Sequence, residues 1–531
     1  MAWHLGTDMH GVIGRHLNVD DARARVRERL AQRNDNFLQI VERSIYANPH
    51  SPYCALLKNA HCELGDLRAQ VKHSGVEGTL RALREAGVYV TFDEFKGRAP
   101  LVRGTLELSV KPSDFDNPLL APTFYAETGG SSGAAQRVAR PLEQYATLWH
   151  HQFLVRYAHG VLDAPLGVWR GILPDGSGIN NNFYPVYYGH VPDRWFTQIQ
   201  PFGSNQNSFK YSLVTYYYVL MARLYGAHLP FPQYVPMERA LIVAQWAQQM
   251  VKAHGACLIA TTVSRGLRVC LAAREAGIDL NGVKFMIAGE PLTPGKARGI
   301  TAAGAGYFPT YGMTESGRVA MGCAQPLDCT DVHVMTDSFA LISHDHPLEG
   351  FDISVPAFHV TTLYSASPKL MLNVEIDDYG SVEERACGCE LGTLGYTTHL
   401  RDIRSYSKLT GEGVTLVGGD MVRILEEVLP ARFGGTPLDY QLLEQEDDAG
   451  LTRLYLVISP RVEIQDERAV MEVLLNALRQ TSIAADAARS TWEQAGTLQI
   501  KRMEPLWTAR GKFMPLYIQR HVTARNMGNT L

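Results

Sequence analysis

GAGYFPTYGMTESG, residues 304–317, is a short apolar run that meets a glycine at Gly312 and closes on Thr314-Glu315. A strand is expected to run into Tyr311-Gly312, with the Thr-Glu pair just beyond its end. A threonine hydroxyl can donate to a phosphate oxygen, and a glutamate can hold the Mg²⁺ that bridges phosphates. Taken alone, the same residues also fit a helix start, with Thr314 as the cap and Glu315 favoured by the helix dipole.

The flanking chain narrows the choice. Upstream, ACLIATT (256–262) and VKFMIAG (283–289) read as buried strands, each short, apolar and closed by polar or glycine residues. FKYSLVTYYYVLMARLYG (209–226) and PMERALIVAQWAQQMVKAHG (236–255) read as helices. This alternation predicts an α/β fold with largely parallel strands. The second strand ends in Gly289-Glu290-Pro291, and strand ends are where such sheets hold ligands. Residues 19–87 read as helical, and 330–395 as a β-rich, glycine-punctuated region. Near the C-terminus, DYQLLEQEDDAGLTRLYLVIS (439–459) predicts a hairpin and RAVMEVLLNALRQT (468–481) a helix, with a further strand after it. The expected organisation is a large N-terminal α/β domain of mixed and parallel sheets, 1–404, and a small C-terminal α+β domain, 405–531.

A second turn has the composition of an anion cradle. Thr128-Gly129-Gly130-Ser131-Ser132-Gly133 offers glycines that let backbone N–H groups approach a phosphate, and hydroxyls that add donors without bulk. It is expected between a strand and a helix, and it lacks the Gly-Lys-Ser/Thr ending of a P-loop. A plain surface loop is the competing reading.

In this order, the motifs resemble those of the adenylate-forming superfamily of acyl-CoA synthetases and nonribosomal adenylation domains, most closely the phenylacetate-CoA ligase branch. Thr128–Gly133 stands where that family has its phosphate loop, Gly289-Glu290-Pro291 where it has the turn flanking adenine, and Tyr311–Glu315 where it has Tyr-Gly-x-Ser/Thr-Glu. Asp378 corresponds to the ribose-binding aspartate, and Lys512, in Ala509-Arg510-Gly511-Lys512, to the adenylation lysine. Arg401 and Arg404 both lie near the family's interdomain arginine. The resemblance implies an enzyme that uses ATP and Mg²⁺ to convert a small carboxylic acid, aromatic acids included, into an acyl-adenylate. Thr314 would contact the α-phosphate, Glu315 would hold Mg²⁺, and Lys512 would serve the developing charge. The acyl group would then pass to CoA; an amine, another nitrogen nucleophile or a carrier-protein thiol is the alternative acceptor, and an inactive nucleotide-binding homologue the alternative outcome. The resemblance also implies a small domain that turns about Ser405-Tyr406-Ser407-Lys408. One departure stands out: after the glycine turn the chain carries Ala134-Ala135-Gln136-Arg137 where the family usually has Pro and Lys.

Cysteine and histidine form a further constellation. Cys387-Gly388-Cys389 together with Cys329 and His333 would supply a Cys₃His set, the donor chemistry of a structural Zn²⁺; Cys323 competes with Cys329, and four unrelated residues are the plain alternative.

Across 531 residues the chain is 46% hydrophobic and 20% charged, with net charge −4, which suits a soluble enzyme and argues against a nucleic-acid partner. The 8 cysteines do not resemble a secreted disulfide framework, and no apolar window approaches membrane-spanning length. A cytoplasmic location without membrane attachment is expected, and a homodimer is left open.

Overall fold

Six short strands lie parallel side by side: β1 (Leu166–Trp169), β2 (Arg194–Thr197), β3 (Pro232–Tyr234), β4 (Cys257–Thr261), β5 (Val283–Ile287) and β6 (Gly306–Met313). Their order is β3-β2-β1-β4-β5-β6, so the chain winds outward in one direction from β1 and then in the other from β4. All of β4 is buried, and all of β5 except Lys284, as continuous apolar strands covered on both faces must be. The protein is described by a computed structural model over residues 18–120, 124–127, 137–173, 175–203, 206–347, 354–405, 408–411, 414–417, 421, 424–447, 452–481, 496–506 and 515–518.

Beyond β6 the same sheet turns antiparallel. It continues through β7 (Gly317–Gly322), β8 (Val332–Val334), β12 (Thr398–Ser405), β11 (Val374–Glu384), β10 (Ser354–Thr362) and β9 (Phe339–Pro347), giving 12 strands. The main helices are α1 (Val19–Ala31), α2 (Leu64–Glu85), α3 (Leu142–Ala158), α4 (Ser177–Val186), α5 (Gln206–Leu224), α6 (Ala240–His254), α7 (Val263–Glu275), α8 (Pro294–Thr301), α9 (Glu390–Leu394) and α10 (Glu467–Thr481). Helices α4 to α8 fill the connections between the parallel strands, as the alternation predicts. The indole of Trp246 on α6 packs so closely on β1 that a side chain at Gly167 would run into it. Trp169, Phe196, Ile259 and Phe285 complete that layer. No helix among the described residues is long and apolar enough to cross a membrane.

A four-stranded sheet near the C-terminus is separate in its pairing: β13 (Tyr440–Glu446), β14 (Thr452–Ile458), β15 (Leu498–Arg502) and β16 (Leu516–Ile518), in the order β15-β14-β13-β16. With α10 it encloses its own core of Leu442, Leu454, Leu456, Val470 and Leu474, and every residue of that core lies at 421 or beyond. The hairpin and helix expected there are present. Tyr406 and Ser407 lie outside the described residues.

Asp337, fully buried, ties the N-terminal helices to the antiparallel half. His151 on α3 approaches its two oxygens at 2.9 and 3.0 Å, and Arg29 on α1 at 3.0 Å. Burial alone would raise the carboxyl's pKa, but the charges of His151 and Arg29 outweigh it and hold the group ionised far into acid. Its stabilisation is therefore complete above the unfolded-state value near about 3.9 and is lost as pH falls. We expect Asp337→Ala, which leaves Arg29 and His151 without their shared carboxylate, to destabilise the protein by about 3–5 kcal/mol in urea unfolding at pH 7. The difference from wild type should shrink as pH falls below 4.

Candidate active site

The segment that opened the sequence reading is a hairpin at the seam of the sheet. Strand β6 ends at Met313, residues 314–316 turn, and β7 returns antiparallel from Gly317, so the helix start is not what forms. The register slips between Tyr311 and Gly312, and Gly312 has no room for a side chain because a Cβ would meet Arg318 Cα at 2.9 Å. The slip aims Tyr311 across the sheet. Its hydroxyl donates to Asp378 Oδ2 at 2.7 Å, while Ser405 at the end of β12 donates to Asp378 Oδ1. Asp377, just before it, takes φ 60, a bulge-like break that redirects the following side chain. The expected ribose aspartate and the expected tyrosine are thus in direct contact.

Glu315 is buried in the turn, and its carboxylate accepts a charged hydrogen bond from Lys96, whose side chain is 8% exposed. Burial would raise the pKa of Glu315; the Lys96 charge and hydrogen bond prevail and hold it at about 2. Thr314 lies half-buried beside it. Lys96 has no local sequence signal, since it is 219 residues away along the chain.

Gly289 follows β5 with φ 89, a conformation that favours glycine. Glu290 turns inward, accepting from Ser264 at the start of α7 and facing Lys296 at 3.9 Å, so its side chain braces the turn. Arg401 pairs with Glu383 at 2.6 Å and Asp328 at 3.1 Å. Arg404 lies opposite Tyr379 and next to Ser405, closer in register to Asp378. Thr262 caps α7, whereas Tyr216 packs on Phe202 and Phe231 near the edge strand β3.

Residues 124–127 and 137–140 pair as antiparallel strands and α3 follows from Leu142, so in sequence a further strand stands between the expected cradle, Thr128, Gly129, Gly130, Ser131, Ser132 and Gly133, and the helix expected after it. Residues 128–136, like Lys512, lie outside the described residues.

The cysteine–histidine constellation is brought together with one substitution. Cys323, His333, Cys387 and Cys389 place their ligand atoms within 4.8 Å of one another. Cys329 is not among them; it packs on the core formed with α6 to α8, in the link between β7 and β8. His333 Nε2 lies 3.1 Å from Cys389 Sγ and 3.6 Å from Cys387 Sγ, and Cys323 Sγ lies 4.0 Å from Cys389 Sγ. Ligands around a tetrahedral zinc stand roughly 3.5–3.8 Å apart, so the donors need only small shifts. His333 Nδ1 is 2.8 Å from the Tyr396 carbonyl, which presents Nε2 to the sulfurs. Hydrogen bonds from Cys323, His333 and the Gly392 N–H lower the Cys389 pKa and favour its thiolate.

These features sit in a fold known from solved structures. A 2-hydroxyisobutyryl-CoA ligase, in complex with 2-HIB-AMP and CoA in the thioesterification state, matches with a TM-score of 0.55 at 14% identity, covering 93% of this chain and 90% of that one. The chain has the fold of the adenylate-forming ligases. The same ligase in its postadenylation state with 2-HIB-AMP gives 0.41 at 14% identity over 92% and 89% of the two chains. PA1221, a nonribosomal peptide synthetase protein containing adenylation and PCP domains, gives 0.39 at 12% over 87% and 88%. The fold assignment rests on the first of these. No family model matches the sequence. No curated protein matches it either.

Replacing Lys96 by Met would leave Glu315 buried without its cation. We expect a loss of about 3–5 kcal/mol at neutral pH. In wild type the pair's stabilisation holds above the unfolded glutamate value near about 4.3 and fades toward pH 2. Urea titrations from pH 7 to 3 should show that fade in wild type and its absence in Lys96→Met.

Proposed function

We propose that this chain is an ATP- and Mg²⁺-dependent ligase that converts a small carboxylic acid to its acyl-adenylate and then passes the acyl group to CoA. One observation carries the reading: the fold assembles Tyr311, Glu315 and Asp378 at one seam, 67 residues of sequence separating Tyr311 from Asp378. These are the residues that the motif order assigns to nucleotide and metal. The likeness to a ligase solved with an acyl-adenylate and CoA supports the choice of co-substrates.

In this reading the acid's carboxylate attacks the α-phosphate and pyrophosphate leaves. Both reactants are anions, so the site must neutralise charge and hold an in-line geometry. Thr314 would donate to a phosphate oxygen, Glu315 would help to hold Mg²⁺, whose charge offsets that of the phosphates, and Asp378 would accept from the ribose hydroxyls. Lys512, delivered by the C-terminal domain, faces the oxygen on which charge develops, and a rotation near Ser405 withdraws it for thioester formation. We place the enzyme beside the phenylacetate-CoA ligases on its motif order and Cys/His cluster. That cluster, Cys323, His333, Cys387 and Cys389, would hold a Zn²⁺ in a structural role.

Acid-dependent exchange of labelled pyrophosphate into ATP should be measurable, and Lys512→Ala and Asp378→Ala should each slow it by about 100- to 1000-fold. Exchange by Lys512→Ala at the wild-type rate would remove the lysine from the adenylation step. Omitting CoA should abolish thioester while sparing adenylate in mass spectra. Metal analysis of protein purified without chelator should find one zinc per chain, lost in Cys323→Ser and kept in Cys329→Ser.

A further inference from the structure

The order of the parallel strands reverses between β1 and β4, and sheets of this kind hold ligands outside the carboxyl ends of the strands that flank the reversal. Arg170 is the first residue after β1. It is 7% exposed, and its guanidinium reaches across the reversal to the end of β4, where Nη2 donates to the Thr261 carbonyl, and to the Ala288 carbonyl after β5 at 3.5 Å. Nη1 lies 3.7 Å from the position a Cβ would take on Gly289, and among the described residues beyond the glycine's chain neighbours no other atom comes within 4 Å of it, so the exposed Gly289 turn opens onto the guanidinium.

What Arg170 lacks is an anion. Its Nε has no hydrogen-bond partner, and among the described residues no carboxylate forms a salt bridge with it. The acids near enough to weigh on it are Asp175 and Glu290, and Glu290 is engaged by Ser264 and Lys296. Burial, the neighbouring Arg265 and, to a smaller degree, Arg318 pull its pKa down to about 9, which leaves it cationic at neutral pH. A cation buried at the strand ends where such sheets take ligands, beside other cations and with bonds only to backbone carbonyls, is arranged for an anionic ligand group.

Given the adenylation reading above, on which this inference rests, two anions have their places: the nucleotide phosphates at the Thr314–Glu315 turn, and the reacting carboxylate beside the α-phosphate. The Gly289 turn flanks adenine, which is uncharged. We propose that the acid activated by this enzyme carries a second, distal carboxylate, which Arg170 holds in the crevice between the ends of β1, β4 and β5. Arg170 is then a specificity-determining residue, and the substrate class is a dicarboxylic acid.

The test is pyrophosphate exchange with acids matched in length, with and without the second carboxylate: butanoate and succinate, hexanoate and adipate, 4-methylbenzoate and terephthalate. In wild type at least one dicarboxylate should exceed its partner in kcat/KM by about tenfold or more. Arg170→Gln should lower kcat/KM for that dicarboxylate by about 10- to 100-fold, mainly through KM, and leave the matched monocarboxylate within about threefold. Arg170→Lys should keep part of the preference. The wild-type comparison stands even if a variant at this buried position misfolds, and thermal melts identify such a variant. Monocarboxylates that react as well as their dicarboxylate partners overturn this inference and leave the adenylation reading intact. An equal loss for all acids in a folded Arg170→Gln also overturns it, assigning Arg170 to the nucleotide or the framework. Exchange with no acid of either series overturns both.

Discussion

Strand β6 bonds a parallel neighbour along one edge and an antiparallel one along the other, and the molecule is organised around that asymmetry. A parallel pair needs a helical crossover, so everything on the β5 side carries helices on its faces. An antiparallel pair needs only a turn, so β7 follows directly through residues 314–316. The tight turn puts Thr314 and Glu315 just past the carboxyl end of β6, at the same end of the sheet as the ends of β4 and β5, where Thr262 and Gly289 lie. The slip at Gly312 then points Tyr311 toward Asp378 on a strand that arrives much later in the chain.

Buried charge holds this arrangement in place. Asp337 collects His151 and Arg29, Glu315 collects Lys96, and Asp331 is held by His399 at 2.6 Å and by Arg385. Each pair joins segments that are distant in sequence, and each contributes less to net stability than to register, because losing either partner leaves an uncompensated charge inside. The Cys/His cluster serves the same end in the antiparallel half. Cys389 starts α9, and Glu390 beside it takes a two-pronged contact from Arg23 on α1 at 2.6 and 2.9 Å. The N-terminal helices are thereby joined to the region below β12. Arg170 differs from these groups: it is buried and charged, yet bound only to carbonyls.

What could be read from the sequence and what could not divide along a physical line. The alternation of FKYSLVTYYYVLMARLYG, ACLIATT and VKFMIAG was sufficient for an α/β sheet, because periodicity and strand length are local properties. The C-terminal hairpin and helix were legible for the same reason. Local pattern failed where two outcomes share one signature. Thr314-Glu315 suits a helix cap as well as a turn, and only the antiparallel partner β7 settles it. The segment 128–133 suits a strand-to-helix link, and only the pairing of 124–127 with 137–140 shows that a further strand precedes α3. Cys323 and Cys329 have identical chemistry, so only the path of the chain into β8 separates them.

The sequence by itself determined the sheet class, the motif order and the chemistry available at Thr314, Glu315, Asp378 and the cysteines, since these follow from side-chain type and near-neighbour spacing. Tertiary structure alone decided which charges meet. Lys96 reaches Glu315 across 219 residues, and Arg170 comes to lie over Gly289 without a carboxylate. Electrostatic partnership depends on distance and burial in three dimensions, and neither is encoded in the spacing of residues along a chain.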